Sequence, residues 1–144
     1  MKYFTIEELT RSETARVRKI DNTPNEVITE HLKALVDNTL DPLRSLWGNP
    51  LHVNSGYRCP QLNKAVGGAS NSGHMYGFAA DITAGSQDAN RRLWYTLINS
   101  NIPYTKVINE QDFSWLHIAF DKSNITKIKL RAEKKNGKWV YYRV

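Results

Sequence analysis

The sequence predicts an α+β domain in which N-terminal helices pack on a mostly antiparallel sheet. Three observations carry that expectation. Apolar residues recur at helical spacing between Val27 and Trp47. The segments 78–83 and 115–120 each alternate a fully apolar face with one that carries polar residues. Asn136-Gly137 sits between two strand-like runs, which is a strong hairpin-turn signal. A chain of 144 residues with 40% hydrophobic and 24% charged content suits one such domain spanning 1–144, with 124–144 as a C-terminal hairpin extension.

Taken in order, Thr5 and Glu8 make a capping-box pattern, so a short helix is expected from Ile6. Thr23 and Glu26 make a second box with Pro24 in the first helical position. The helix after it carries Val27, Ile28, Leu32, Leu35, Val36, Leu40, Leu43 and Trp47 on one face. Pro42 is expected to kink or divide it, and Gly48 with Pro50 to end it. A short strand at Leu51 to Asn54 enters the loop Ser55-Gly56-Tyr57-Arg58, and Pro60 opens a short helix towards Val66. The Gly-, Ser- and Asn-rich stretch GGASNSGHMYG reads as loop. Strands are expected at Phe78 to Thr83, Tyr104 to Asn109 and Trp115 to Phe120, with a helix from Asp88 to about Asn99. Two further runs, Thr126 to Ala132 and Lys138 to Val144, form the terminal hairpin.

The single cysteine, Cys59, rules out an internal disulfide and reads as a small buried or half-buried residue rather than a reactive thiol. No apolar run approaches the roughly 20 residues that span a bilayer. The N-terminus MKYFTIEELTRSE has no apolar signal core, so synthesis in the cytoplasm without a signal peptide is expected. A net charge of +6 favours an anionic partner, whether nucleic acid, lipid or wall polymer.

Alternation places Asp81 and His117 mid-strand, each on the face away from the core, with small Ala79 and Ala119 beside them. If the two strands are neighbours, both side chains converge. His74 lies upstream across a turn that Gly77 permits. Two imidazoles and one carboxylate leave a fourth position open, which is the ligand set of a catalytic zinc site. The plainer readings of these residues are a polar loop, a strand-end cap and a satisfied core histidine.

The segment Ser72-Gly73-His74-Met75-Tyr76-Gly77-Phe78-Ala79-Ala80-Asp81 resembles the S-x-H-x-x-G-x-A-x-D signature of the M15 zinc peptidases, the D-Ala-D-Ala carboxypeptidases, dipeptidases and phage L-alanyl-D-glutamate endopeptidases. Ser55-Gly56-Tyr57-Arg58, Leu62 to Gly68 and Trp115-Leu116-His117 resemble further stretches of that family. The resemblance runs from about Phe4 to Phe120 and leaves the C-terminal hairpin unmatched. It implies Zn2+ held by His74, Asp81 and His117. It implies that Arg58 contacts substrate or the developing oxyanion, and that Ser72, Tyr57 and Trp115 belong to the substrate cleft. Many members carry the catalytic carboxylate three residues before the last histidine, where this chain has Ser114. Glu110 is the preferred substitute, because Val107-Ile108-Asn109-Glu110 resembles a strand end where some phage-type members carry Glu. Asp112 is the second candidate.

The expected function is therefore zinc-dependent hydrolysis of peptidoglycan stem peptides by a monomer, reaching the wall after release, as in phage or prophage lysis. The competing expectation is a non-catalytic wall-binding relative. A nucleic-acid surface on the basic hairpin with Trp139, Tyr141 and Tyr142 is the weaker alternative to a solvated strand with one packed face.

Overall fold

A computed structural model describes all residues, 1–144, and has the expected α+β architecture. Six strands form one sheet in the order β1-β2-β4-β3-β5-β6. They are β1 (His52–Ser55), β2 (Ala79–Thr83), β3 (Lys106–Glu110), β4 (Trp115–Ala119), β5 (Ile128–Lys135) and β6 (Lys138–Arg143). Every neighbouring pair is antiparallel except β3 and β5, which run parallel. The C-terminal hairpin is thus a continuation of the sheet, not an appendage to it.

The helices are α1 (Ile6–Thr10), α2 (Glu13–Arg18), α3 (Glu26–Leu35), α4 (Asp41–Trp47), α5 (Pro60–Ala65) and α6 (Gln87–Ile98). Thr5 caps α1 through its hydroxyl, which accepts from Glu8 N. The cap of α3 is Asn25, whose side chain accepts from Ile28 N at 2.8 Å, and not Thr23, whose own N–H donates to Asp21. Pro42 divides the run as expected, into α3 and α4, without ending it. The residues before it, Val36–Leu40, widen into a π turn in which Asp41 N reaches Val36 O. That widening accommodates the proline, which has no N–H and crowds the preceding turn. Helix α2 has no apolar periodicity to betray it, since it buries only Ala15.

One face of the sheet meets the helices. Leu32, Leu35, Leu40 and Leu43 from α3, the π turn and α4 pack with Leu93 and Leu97 of α6 against Ile82, Val107, Leu116 and Ile118. Burying side chains of this size contributes roughly 1.5–3 kcal/mol each, which makes this layer the main support of the fold. The opposite face, by alternation and register, carries Asp81, His117, Ile108 and Glu110.

Candidate metal centre

Asp81 and His117 are direct partners in the β2–β4 register, so the strands are the neighbours that convergence required. His117 Nδ1 lies 3.1 Å from Asp81 Oδ1, and His74 Nε2 lies 3.3 Å from the same oxygen. The donor atoms of the three residues all fall within 4.8 Å of one another. His74 sits on a 3-10 turn, Gly73–Tyr76, capped at its start by the Ser72 hydroxyl. Gly77 closes that turn at φ +75°, a conformation other residues adopt only at a cost.

The His74 ring is oriented from behind. Its Nδ1 lies 2.7 Å from Gly56 O, which only accepts, so Nδ1 carries a proton and Nε2 is the nitrogen turned towards the site. Gly56 can hold that carbonyl in place because its backbone runs against α1; a Cβ there would lie 2.1 Å from Leu9 O. Burial alone would raise the Asp81 pKa, but the two imidazoles, His74 foremost, outweigh it and hold the carboxyl well below its usual range. Burial lowers the His117 pKa against the pull of Asp81. An ionised carboxylate with neutral imidazoles is the form that binds a metal, and this donor set fits zinc.

The cluster opens into a cleft of ≈ 630 Å³. Glu110 belongs to it: Ile108 pairs with His117 and Glu110 with Trp115, so Glu110 points to the same side as the histidine. Glu110 is only 7% exposed. Burial, with Asp81 adding and Lys106 opposing, pushes its pKa up to about 7.

Arg58 lines the same cleft. Its guanidinium contacts only neutral groups, with Nε donating to Asn63 Oδ1 (3.1 Å), Nη1 to Ser55 Oγ (3.4 Å) and Nη2 to Ser72 Oγ (3.3 Å). Burial lowers its pKa and Asp81 opposes, yet an arginine stays charged. The cleft thus contains a fixed cation with no ion pair.

Ser72 and Trp115 also line the cleft. Tyr57 and Asp112 do not. Tyr57 is 8% exposed and packs into the core. Asp112 is exposed on the turn between β3 and β4, where Gln111, Asp112 and Phe113 all have left-handed backbone. That turn is costly for non-glycine residues and is held from α6: buried Asn90 donates to Phe113 O and Ser114 O, and Gln87 donates to Asp112 O. Ser114 is likewise exposed, its hydroxyl donating to Gln111 O at 2.6 Å.

Sequence reasoning missed Asn63, Asn22 and the hairpin's share of the cleft. Buried Asn63 orients Arg58 while donating to Ala69 O, and Asn22 ties Thr10 O, Tyr57 O and Cys59 N together around the Arg58 loop. An asparagine beside the Arg58 loop is too common a feature to mark either one. His31 meets Tyr76 O at 2.7 Å and packs on Phe78, propping the turn that carries His74. The Cys59 sulfur caps α5.

The profile of the Peptidase M15 family matches residues 2–119. The chain belongs to that family. A zinc D-Ala-D-Ala carboxypeptidase of Streptomyces albus G is 55% identical over 49 residues, a stretch that makes up 33% of this chain and 19% of that protein. The chain therefore matches about a fifth of that relative's length. In this M15 peptidase the His-Asp-His cluster, Glu110 and Arg58 all lie inside the span the family profile covers.

Proposed function

We propose that this M15 peptidase hydrolyses peptide bonds in bacterial peptidoglycan stem peptides, with Zn2+ held by His74, Asp81 and His117. The observation that carries the reading is one cleft holding the His-Asp-His cluster, a buried carboxylate and an unpaired guanidinium. The name of the Streptomyces relative supports the substrate class.

Bound there, zinc supplies Lewis acidity, which makes water a nucleophile near neutral pH and polarises a carbonyl. Glu110 takes the proton from the attacking water and returns it to the departing amine; a carboxyl pKa near neutrality suits both transfers. Arg58, already aimed by Asn63 and Ser72, neutralises the charge that develops on the carbonyl oxygen or a substrate carboxylate beside it. Action on the wall after release, as in phage lysis, belongs to the same proposal. The non-catalytic alternative rests on Ser114 standing where many relatives have an acid, and a buried carboxylate at Glu110 in the cleft favours the catalytic reading over it.

The test is mass spectrometry of peptidoglycan fragments incubated with the zinc-loaded protein, with and without chelator. New amine termini that vanish with chelator are expected. Intact fragments, or cleavage indifferent to chelator, would overturn the reading.

A further inference from the structure

The cleft has a wall outside the span that family membership explains. Leu130, Trp139 and Tyr141 line it together with Trp115, and the family match ends at residue 119. The sheet register shows how they arrive. Glu110 pairs with Ala132 across the parallel β3–β5 ladder, and Ala132 pairs with Tyr141 across β5–β6. Trp115, Glu110, Ala132 and Tyr141 therefore form one row on the cleft face. Small, fully buried Ala132 in the middle leaves room for the Tyr141 ring. Trp139 reaches the same side and meets Trp115 edge to face, with centroids 6.3 Å apart. Trp139 and Tyr141 remain 37% and 51% exposed, so part of each ring is open to a further partner.

We propose that Trp139 and Tyr141 form an apolar subsite that grips the flank of the peptide substrate lying on the Glu110 side of the scissile bond. The placement of charge supports this. Arg58 is bonded to Ser55 at the end of β1, at the other edge of the strand order from β5 and β6, so an extended substrate anchored there by an anion runs across the site towards the hairpin. Rigid aromatic faces hold apolar surface at low entropic cost. Arg131 and Lys135 gather around Tyr142 on the opposite face, while Lys134 lies over the Trp139 ring, its Nζ 5.9 Å from the centroid. The inference rests on the peptidase reading.

The experiment compares W139A and Y141A with the wild type on a synthetic sugar-free stem pentapeptide, measuring kcat and KM separately, zinc content, and the peptide's Kd in an E110Q background. The expected result is a KM and Kd raised about tenfold with kcat and zinc content unchanged. W139F recovers most of the loss, and Y142A on the opposite face behaves as wild type. A wild type that cuts the peptide while both variants keep its KM overturns the subsite alone. So does a loss seen only with glycan-attached fragments. A wild type that neither cuts nor binds the peptide overturns the substrate assignment and the subsite with it.

Discussion

Asp81 and His117 face each other across the β2–β4 ladder, and Asp81 offers a single oxygen within 3.3 Å of both His117 Nδ1 and His74 Nε2. Removing either histidine leaves a ligand set too small for tight zinc binding. H74A and H117A are each expected to lose stoichiometric zinc after dialysis, as read by inductively coupled plasma mass spectrometry, while circular dichroism stays that of a folded chain. Full zinc retention in both variants would place the metal elsewhere.

Glu110 and Asp112 differ in where the β3–β4 turn sends them. Glu110 is buried in the cleft, and Asp112 is exposed on the left-handed turn. E110Q should reduce kcat by roughly 10²–10⁴-fold, the usual range for a lost general base, and keep its zinc. D112N should leave kcat unchanged. Steady-state kinetics on one stem peptide decides it, and the reverse pattern would assign the base to Asp112.

The position of Glu110 also carries a pH signature. Its carboxyl ionises near 4.5 when unfolded and about 7 when folded. The unfolded chain thus releases this proton first, and the fold loses stability as pH rises from about 4.5 through 7. E110Q has no such loss. In chelator-treated protein, the melting temperature of E110Q relative to wild type should climb across that window and then level off. Zinc in the cleft favours the carboxylate, so the metal-loaded pair should show a smaller climb. A pH-independent difference would mean that Glu110 is not desolvated.

Gly56 links the α1 packing to the metal ligand. Its carbonyl accepts from His74 Nδ1, and an added Cβ would meet Leu9 O at 2.1 Å. G56A should cost about 1–3 kcal/mol of stability, the range for overpacking a tight contact. It should also weaken zinc binding by displacing the carbonyl that orients His74. Urea unfolding and zinc competition with a chromophoric chelator measure the two effects. Wild-type values in both would show that the contact relaxes without consequence.

The His-Asp-His cluster was legible in the sequence for a local reason. Alternation in two short strands assigns Asp81 and His117 to one face, and the Ser72 to Asp81 signature adds His74. The helix from Glu26 was equally readable from its apolar spacing, although its cap proved to be Asn25 because that side chain reaches Ile28 N. The aim of Glu110 was not readable. Alternation ties it to Ile108, but only the β3–β4 register shows that Ile108 stands opposite His117. The same holds for Trp139 and Tyr141: their shared face follows from the sequence, and its identity as the cleft face follows from a parallel β3–β5 pairing between distant segments. Tyr57 shows the opposite failure, since a residue next to Arg58 in sequence turns into the core.

The most direct test of a His-Asp-His zinc peptidase is to titrate chelator-stripped protein with zinc while following amine release from a stem peptide. Activity should be absent at the start, rise in proportion to added metal and stop rising at about one zinc per chain, as a single catalytic site requires. Activity in the stripped protein, or a rate that ignores the first equivalent of zinc, would contradict the account.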